Sequence, residues 1–107
     1  MSYLLQHTQR PQRPSRIRLD EELRLNRPGF YGDAYIRTLV LRSRSGRLHI
    51  ELRIADCVNV INLEFSLDTP EHRENSLFKA DTLIGALTRF RDALAAECEL
   101  DEKGGTR

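Results

Sequence analysis

Long apolar runs are missing from this chain, and so are the cysteine pairs, glycine-rich loops and nucleophile elbows that mark many enzymes. Each absence excludes something. No stretch approaches the roughly 20 apolar residues that a membrane-spanning helix needs. Met1 to His7 has a short apolar cluster but neither a basic start nor an adequate apolar segment, so no signal peptide is read and the expected compartment is the cytoplasm. The two cysteines, Cys57 and Cys98, lie far apart and in no zinc or redox spacing, so both are expected as ordinary reduced thiols. His7, His49 and His72 form no metal set by spacing, and Gly29 and Gly32 are too sparse for a phosphate loop. No Gly-x-Ser-x-Gly elbow occurs. No catalytic residue, cofactor or metal is therefore assigned, and the chain is read as non-enzymatic.

What is present begins with arginine. Residues 1–47 hold ten arginines and no lysine against four acids, a net +6. Residues 48–107 hold seven basic and twelve acidic residues, a net −5, which brings the chain to +1 overall. Such asymmetry marks either an anionic partner for the basic half or two halves that attract each other, within one fold or across a dimer.

At 107 residues the chain is expected to form one domain, over 16–100, with a flexible basic tail at 1–15 and a frayed end at 101–107. Pro11 and Pro14 exclude a regular helix from the tail. Arg16 to Leu25 reads as a strand, with Ile17, Leu19, Leu23 and Leu25 in one phase, although Asp20-Glu21-Glu22 could instead open a short helix. Asn26 to Asp33 is a loop by its proline and glycines.

Leu48, Ile50, Leu52 and Ile54 alternate with Arg47, His49, Glu51 and Arg53, which places the apolar set on one strand face. A two-residue turn at Ser45-Gly46 predicts Leu41 opposite Ile50 and Leu39 opposite Leu52. A turn at Asp56-Cys57 predicts Ile61 opposite Leu52, Leu63 opposite Ile50 and Phe65 opposite Leu48. The same registers put Arg42, His49 and Glu64 in one row of the other face, then Val40, Glu51 and Asn62, then Thr38, Arg53 and Val60.

Leu67 to Asn75 reads as a connector, and Asp81 as the N-cap of a helix from about Thr82 to Glu97. Leu83, Leu87, Phe90 and Leu94, with Ile84 alongside, form its apolar stripe. The predicted fold class is α+β, an antiparallel meander of three to four strands covered on one face by a long C-terminal helix. One helix is only about 10 Å across, so part of the sheet stays open and a homodimer is the simplest way to close it. A sheet-plus-helix dimer of this outline resembles the single-strand-binding coactivator and Whirly folds in topology alone.

Two functions follow. The first is a small protein-binding module, a regulator, inhibitor or immunity-type protein, for which arginine and aromatic anchors suit the interface. The second is a nucleic-acid-binding protein that uses the arginine-rich tail, the hairpin tip and the polar sheet face. The candidate partner-binding residues are Phe30, Tyr31, Tyr35, Arg42, Arg44, Arg47, His49 and Arg53. Phe65 and Phe90 are assigned to the core. No membrane partner is expected.

Overall fold

A computed structural model describes residues 16–104; the basic tail expected at 1–15 lies outside the described residues, as do 105–107 of the end expected to fray over 101–107. The architecture is α+β: a four-stranded antiparallel sheet in the order β1-β2-β3-β4 and one long C-terminal helix. The strands are β1 Arg16–Arg24, β2 Ala34–Arg42, β3 Leu48–Asp56 and β4 Asn59–Leu63; the helix is α1, Pro70–Gly104. Among the described residues the chain divides into two compact units, the sheet through Phe65 and the helical unit from Ser66.

The β2–β3 register differs from the expected one by a single residue. Val40 lies opposite Ile50, Thr38 opposite Leu52 and Ile36 opposite Ile54. The cause is the turn. Ser43 donates its N–H to the Arg47 carbonyl at 2.8 Å, and Gly46 donates to the Ser43 carbonyl at 2.9 Å. The loop is therefore three residues, Arg44-Ser45-Gly46, with Gly46 at φ +89°. A two-residue turn of the I′ type would need φ > 0 at Ser45 as well, whereas a type I turn followed by a left-handed glycine needs it only at Gly46.

The slip exchanges the faces of β2. Ile36, Thr38 and Val40 join Leu48, Ile50, Leu52 and Ile54 on the apolar face, while Leu39 and Leu41 move to the polar face. The strand tolerates either phase because Leu39-Val40-Leu41 is apolar on both sides. Thr38 is left on the apolar face, and its buried hydroxyl has no partner among the described residues.

The β3–β4 hairpin keeps the expected face but slides by two residues. Ile61 pairs with Ile54 and Leu63 with Leu52, around a turn at Cys57-Val58 in which Cys57 takes φ +57°. The Cys57 N–H also bonds the Asp33 carbonyl at 3.2 Å, tying this turn to the β1–β2 loop. β1 is a strand throughout, without the short helix at Asp20. An irregularity between Ile17 and Leu19 puts Leu19 and Leu23 on the apolar face and Ile17, opposite Leu41, on the other.

In the helical unit, α1 starts eleven residues before Asp81 and continues past Glu97 to Gly104, so the expected start and end are both corrected and residues 101–104, expected to fray, are helical. Thr69 is the cap: its Oγ1 accepts the His72 N–H at 3.1 Å, and Pro70 takes the first helical position, where a missing N–H costs nothing. The connector is pinned to the helix by Ser76. Its hydroxyl donates to the Ser66 carbonyl at 2.7 Å and accepts the Ser66 N–H at 2.9 Å. Arg73 Nε adds a bond to the Leu67 carbonyl at 3.0 Å. The 35-residue helix is about 52 Å long. Phe90 is exposed, which corrects its assignment to the core.

Two outcomes follow for the full chain in urea. Thr69→Ala removes the cap and should cost about 1 kcal/mol, with loss of helical circular dichroism at the N-terminal turns. Thr38→Val removes an unpaired buried hydroxyl at constant shape and should raise stability by about 1 kcal/mol. A lower unfolding midpoint for Thr38→Val would mean that the hydroxyl has a partner in solution.

Candidate functional site

The polar face of the sheet carries one connected set of charges across β1, β2 and β3, which Asn62 extends to β4. Arg37 on β2 lies opposite Glu22 on β1 and Arg53 on β3. Two arginines directly opposed repel, and the sheet answers with carboxylates on the diagonals. Arg37 Nη1 donates to Asp20 Oδ1 at 2.6 Å, and its Nε lies 3.9 Å from Glu51 Oε1. Glu51 Oε2 in turn holds Arg53 Nη2 at 2.8 Å, and Arg53 Nε donates to Asn62 Oδ1 at 3.2 Å. The Asp20 hydrogen bond, reinforced by the charges of Asp20, Glu51 and Glu22, raises Arg37 above its ordinary pKa.

None of the three expected rows on this face forms. Arg42 sits on the other face opposite Leu48, His49 is opposite Leu41, and Glu64 lies beyond the end of β4. His49 and Glu64 are thus not brought together as a cross-strand acid–base pair. The row that forms instead is Arg37, Arg53 and Asn62, flanked by Asp20 and Glu51.

The β1–β2 loop forms one end of the sheet. Gly29 and Gly32 take φ +97° and +118°, and Phe30 N–H closes a turn onto the Arg27 carbonyl at 3.1 Å. Asn26 Nδ2 donates to the Gly32 carbonyl at 3.2 Å; the positive φ favours glycine at 32, and a Cβ there would fall 2.9 Å from that nitrogen and push the Asn26 side chain aside. The Arg27 guanidinium stacks 4.7 Å from the Phe30 ring centroid. Phe30 is 63% and Tyr31 96% exposed, so neither ring tucks under the sheet. Arg24 pairs with Asp33 at 2.9 Å and lies 5.7 Å above the Tyr35 ring. A shallow cleft of about 420 Å³ opens here, lined by Arg24, Asn26, Arg27, Phe30 and Gly32 among others.

The opposite end is the β2–β3 hairpin. Arg42 Nη1 donates to the Gly46 carbonyl at 2.9 Å, and Arg44 and Arg47 are exposed. The nine-residue β2 spans about 27 Å between the two ends. The eight sequence-predicted site residues are therefore not one site. Phe30 and Tyr31 stand at one end, with Tyr35 beside them, and Arg42, Arg44 and Arg47 stand at the other. His49 and Arg53 lie between. Sequence reasoning missed Arg37, Asp20 and Arg27; the three-residue loop at Gly46 is the signal that would have placed Arg37 beside Arg53.

In the helical unit every residue from Ala86 to Gly104 is exposed, including Leu87, Phe90 and Leu94 of the apolar stripe. No helix among the described residues is long and apolar enough to cross a membrane, and no group of three or more His, Cys, Asp or Glu is placed to hold a metal ion. Cys57 and Cys98 are free and exposed. No protein-family model, curated protein or solved structure matches the chain.

The charge ladder makes a measurable claim. Glu51→Gln frees Arg53 and removes the more distant of the two carboxylates at Arg37, and should lower the urea unfolding midpoint at low ionic strength. In 1 M salt the difference from wild type should shrink by more than half, because these groups are only partly shielded from solvent. An undiminished difference would mean that Glu51 acts through packing.

Proposed function

We propose that this chain is a small, non-enzymatic protein-binding module, a regulator, inhibitor or immunity-type protein, that works as a homodimer. The observation that carries the reading is the distribution of its large apolar side chains. Sixteen of them are exposed, from Ile17 on β1 to Leu100 on α1, whereas Ala34 and Ala55 are the only buried apolar residues among those described. Large apolar side chains left in water favour association, and each one fully covered contributes about 1.5–3 kcal/mol.

The occupant of the helix stripe is a second copy. Ala80, Leu83, Leu87, Phe90 and Leu94 follow the alternating three- and four-residue spacing of a helix-pairing seam, and two copies of one such seam are complementary by symmetry. Phe30, Tyr31 and Arg27 are the anchors offered to a different protein, since exposed aromatic and arginine side chains supply most interface hot spots. The polar face is a weaker candidate for either role. Arg24, Arg37 and Arg53 already have carboxylate partners there, so a ligand anion would have to displace them. The reading keeps the cytoplasm as the working location.

Light scattering tests the dimer. The full chain at micromolar concentration should have twice the 12.4 kDa chain mass, and Leu87→Asp with Phe90→Asp should return it to one chain. A wild-type mass of one chain would overturn the homodimer. Phe30→Ala with Tyr31→Ala should leave the mass at two chains and abolish capture of the protein partner; capture at wild-type strength would remove this loop from the interface.

A further inference from the structure

Arg27 stacks on Phe30 in the β1–β2 loop, and the other described arginines of the sheet unit fall into two populations. Arg24, Arg37 and Arg53 lie on the polar face and toward the β1–β2 loop, and each has a carboxylate within ion-pair distance. Arg16, Arg18, Arg42, Arg44 and Arg47 gather at the hairpin end, and none has an acidic partner among the described residues. The contrast is sharpest between two like pairs. Arg37 lies directly opposite Arg53; Glu51 contacts both guanidinium groups, and Asp20 holds Arg37 from the β1 side. Arg16 lies directly opposite Arg42, and no carboxylate is interposed. Side chains so placed start about 5 Å apart, and like charges there destabilise the pairing unless an anion joins them.

We infer that this end of the sheet binds the phosphate backbone of a nucleic acid. Arg16 and Arg42 face each other on the side of the sheet that carries Leu48, Arg44 lies in the turn, and Arg47 is in the opposite phase, that of His49, so the charges wrap the tip of the hairpin. Arg18 is the residue left unpaired by the irregularity between Ile17 and Leu19, a device that redirects a side chain. Together they make an array of fixed positive charge rather than a single point. All five are arginine, whose planar fork pairs a phosphate through two parallel hydrogen bonds as an ammonium does not.

The chemistry of this end separates a nucleic acid from a protein partner. The turn itself, Ser43-Arg44-Ser45-Gly46-Arg47, has no aromatic or aliphatic side chain to form the dry centre of a protein interface. The aromatic anchors, Phe30 and Tyr31, are at the far end of the sheet. A phosphate track needs charge and hydrogen-bond donors alone and no apolar centre. The inference uses a surface distinct from the helix stripe and from the aromatic loop, so it stands or falls separately from the protein-binding reading.

Fluorescence anisotropy with the full chain tests it, using a labelled single-stranded oligonucleotide and a labelled duplex between 50 and 200 mM salt. If five phosphates are engaged on a single strand, affinity should fall about a hundredfold across that range. Arg44→Ala with Arg47→Ala, both in the exposed turn, should weaken binding at least tenfold at 50 mM salt and lower the logarithmic salt slope by about 1.4. Arg44→Lys with Arg47→Lys should keep the slope and lose part of the affinity. Circular dichroism and light scattering on the same samples should match wild type, which separates lost contacts from lost fold or lost dimer. Preference between strand and duplex then identifies which form supplies the phosphates. Absence of binding to both probes at 50 mM salt would overturn the inference. So would wild-type affinity in the double alanine variant, which would put the phosphates elsewhere. Preferential capture of an acidic polypeptide by the same five arginines, with neither oligonucleotide competing, would replace the nucleic acid by a protein.

Discussion

The left-handed conformation of Gly46 sets the register on which the sheet depends. With φ positive at that one position, the β2–β3 loop closes with three residues, and Arg37, not Thr38, comes to lie opposite Arg53. Every feature of the polar face follows. Asp20 and Glu51 sit on the diagonals of that arginine pair, and the alternation of sign across the strands turns a repulsive contact into a ladder. Had the turn used two residues, Leu39 and Leu41 would have faced inward and Arg37 would have lain among aliphatic side chains, where an unpaired charge is expensive.

The ladder also explains why the two ends of the sheet differ in kind. In the middle, arginine and carboxylate satisfy each other and leave little charge for a ligand. The β1–β2 loop is held by its glycines, by Asn26 and by the Arg24–Asp33 pair, and it presents Phe30 and Tyr31 to solvent on a braced support. Rings presented this way lose little conformational entropy on binding, which suits an interface anchor. The hairpin end has arginines without carboxylates and a turn without apolar side chains. One end therefore suits a protein, and the other suits a polyanion, about 27 Å apart.

The helix poses a different physical problem. Its start is well specified by Thr69, Pro70 and the reciprocal Ser66–Ser76 bonds, all within a few residues of one another. Its length is not stabilised by burial within this unit, since Leu87, Phe90 and Leu94 are exposed. Helices in proteins draw most of their stability from packing of an apolar face, and here that stripe lies exposed.

How much of this was legible in advance depends on the range of the interaction concerned. The strands, their antiparallel order and the presence of a C-terminal helix followed from local periodicity, because the alternation in Leu48 to Ile54 and the spacing of Leu83 to Leu94 are properties of a few consecutive residues. The apolar face of β3 was likewise determined by the sequence alone. The helix start was also written locally, in a threonine followed by a proline, although Asp81 offered a competing cap. The tertiary structure decided the register. Leu39-Val40-Leu41 is apolar in both phases, so β2 accepts either face, and only backbone conformation at Ser45 and Gly46 selects between them. The tertiary structure also decided that the candidate residues divide between two ends of the sheet, since a strand separates by tens of ångströms what the chain places within twenty residues.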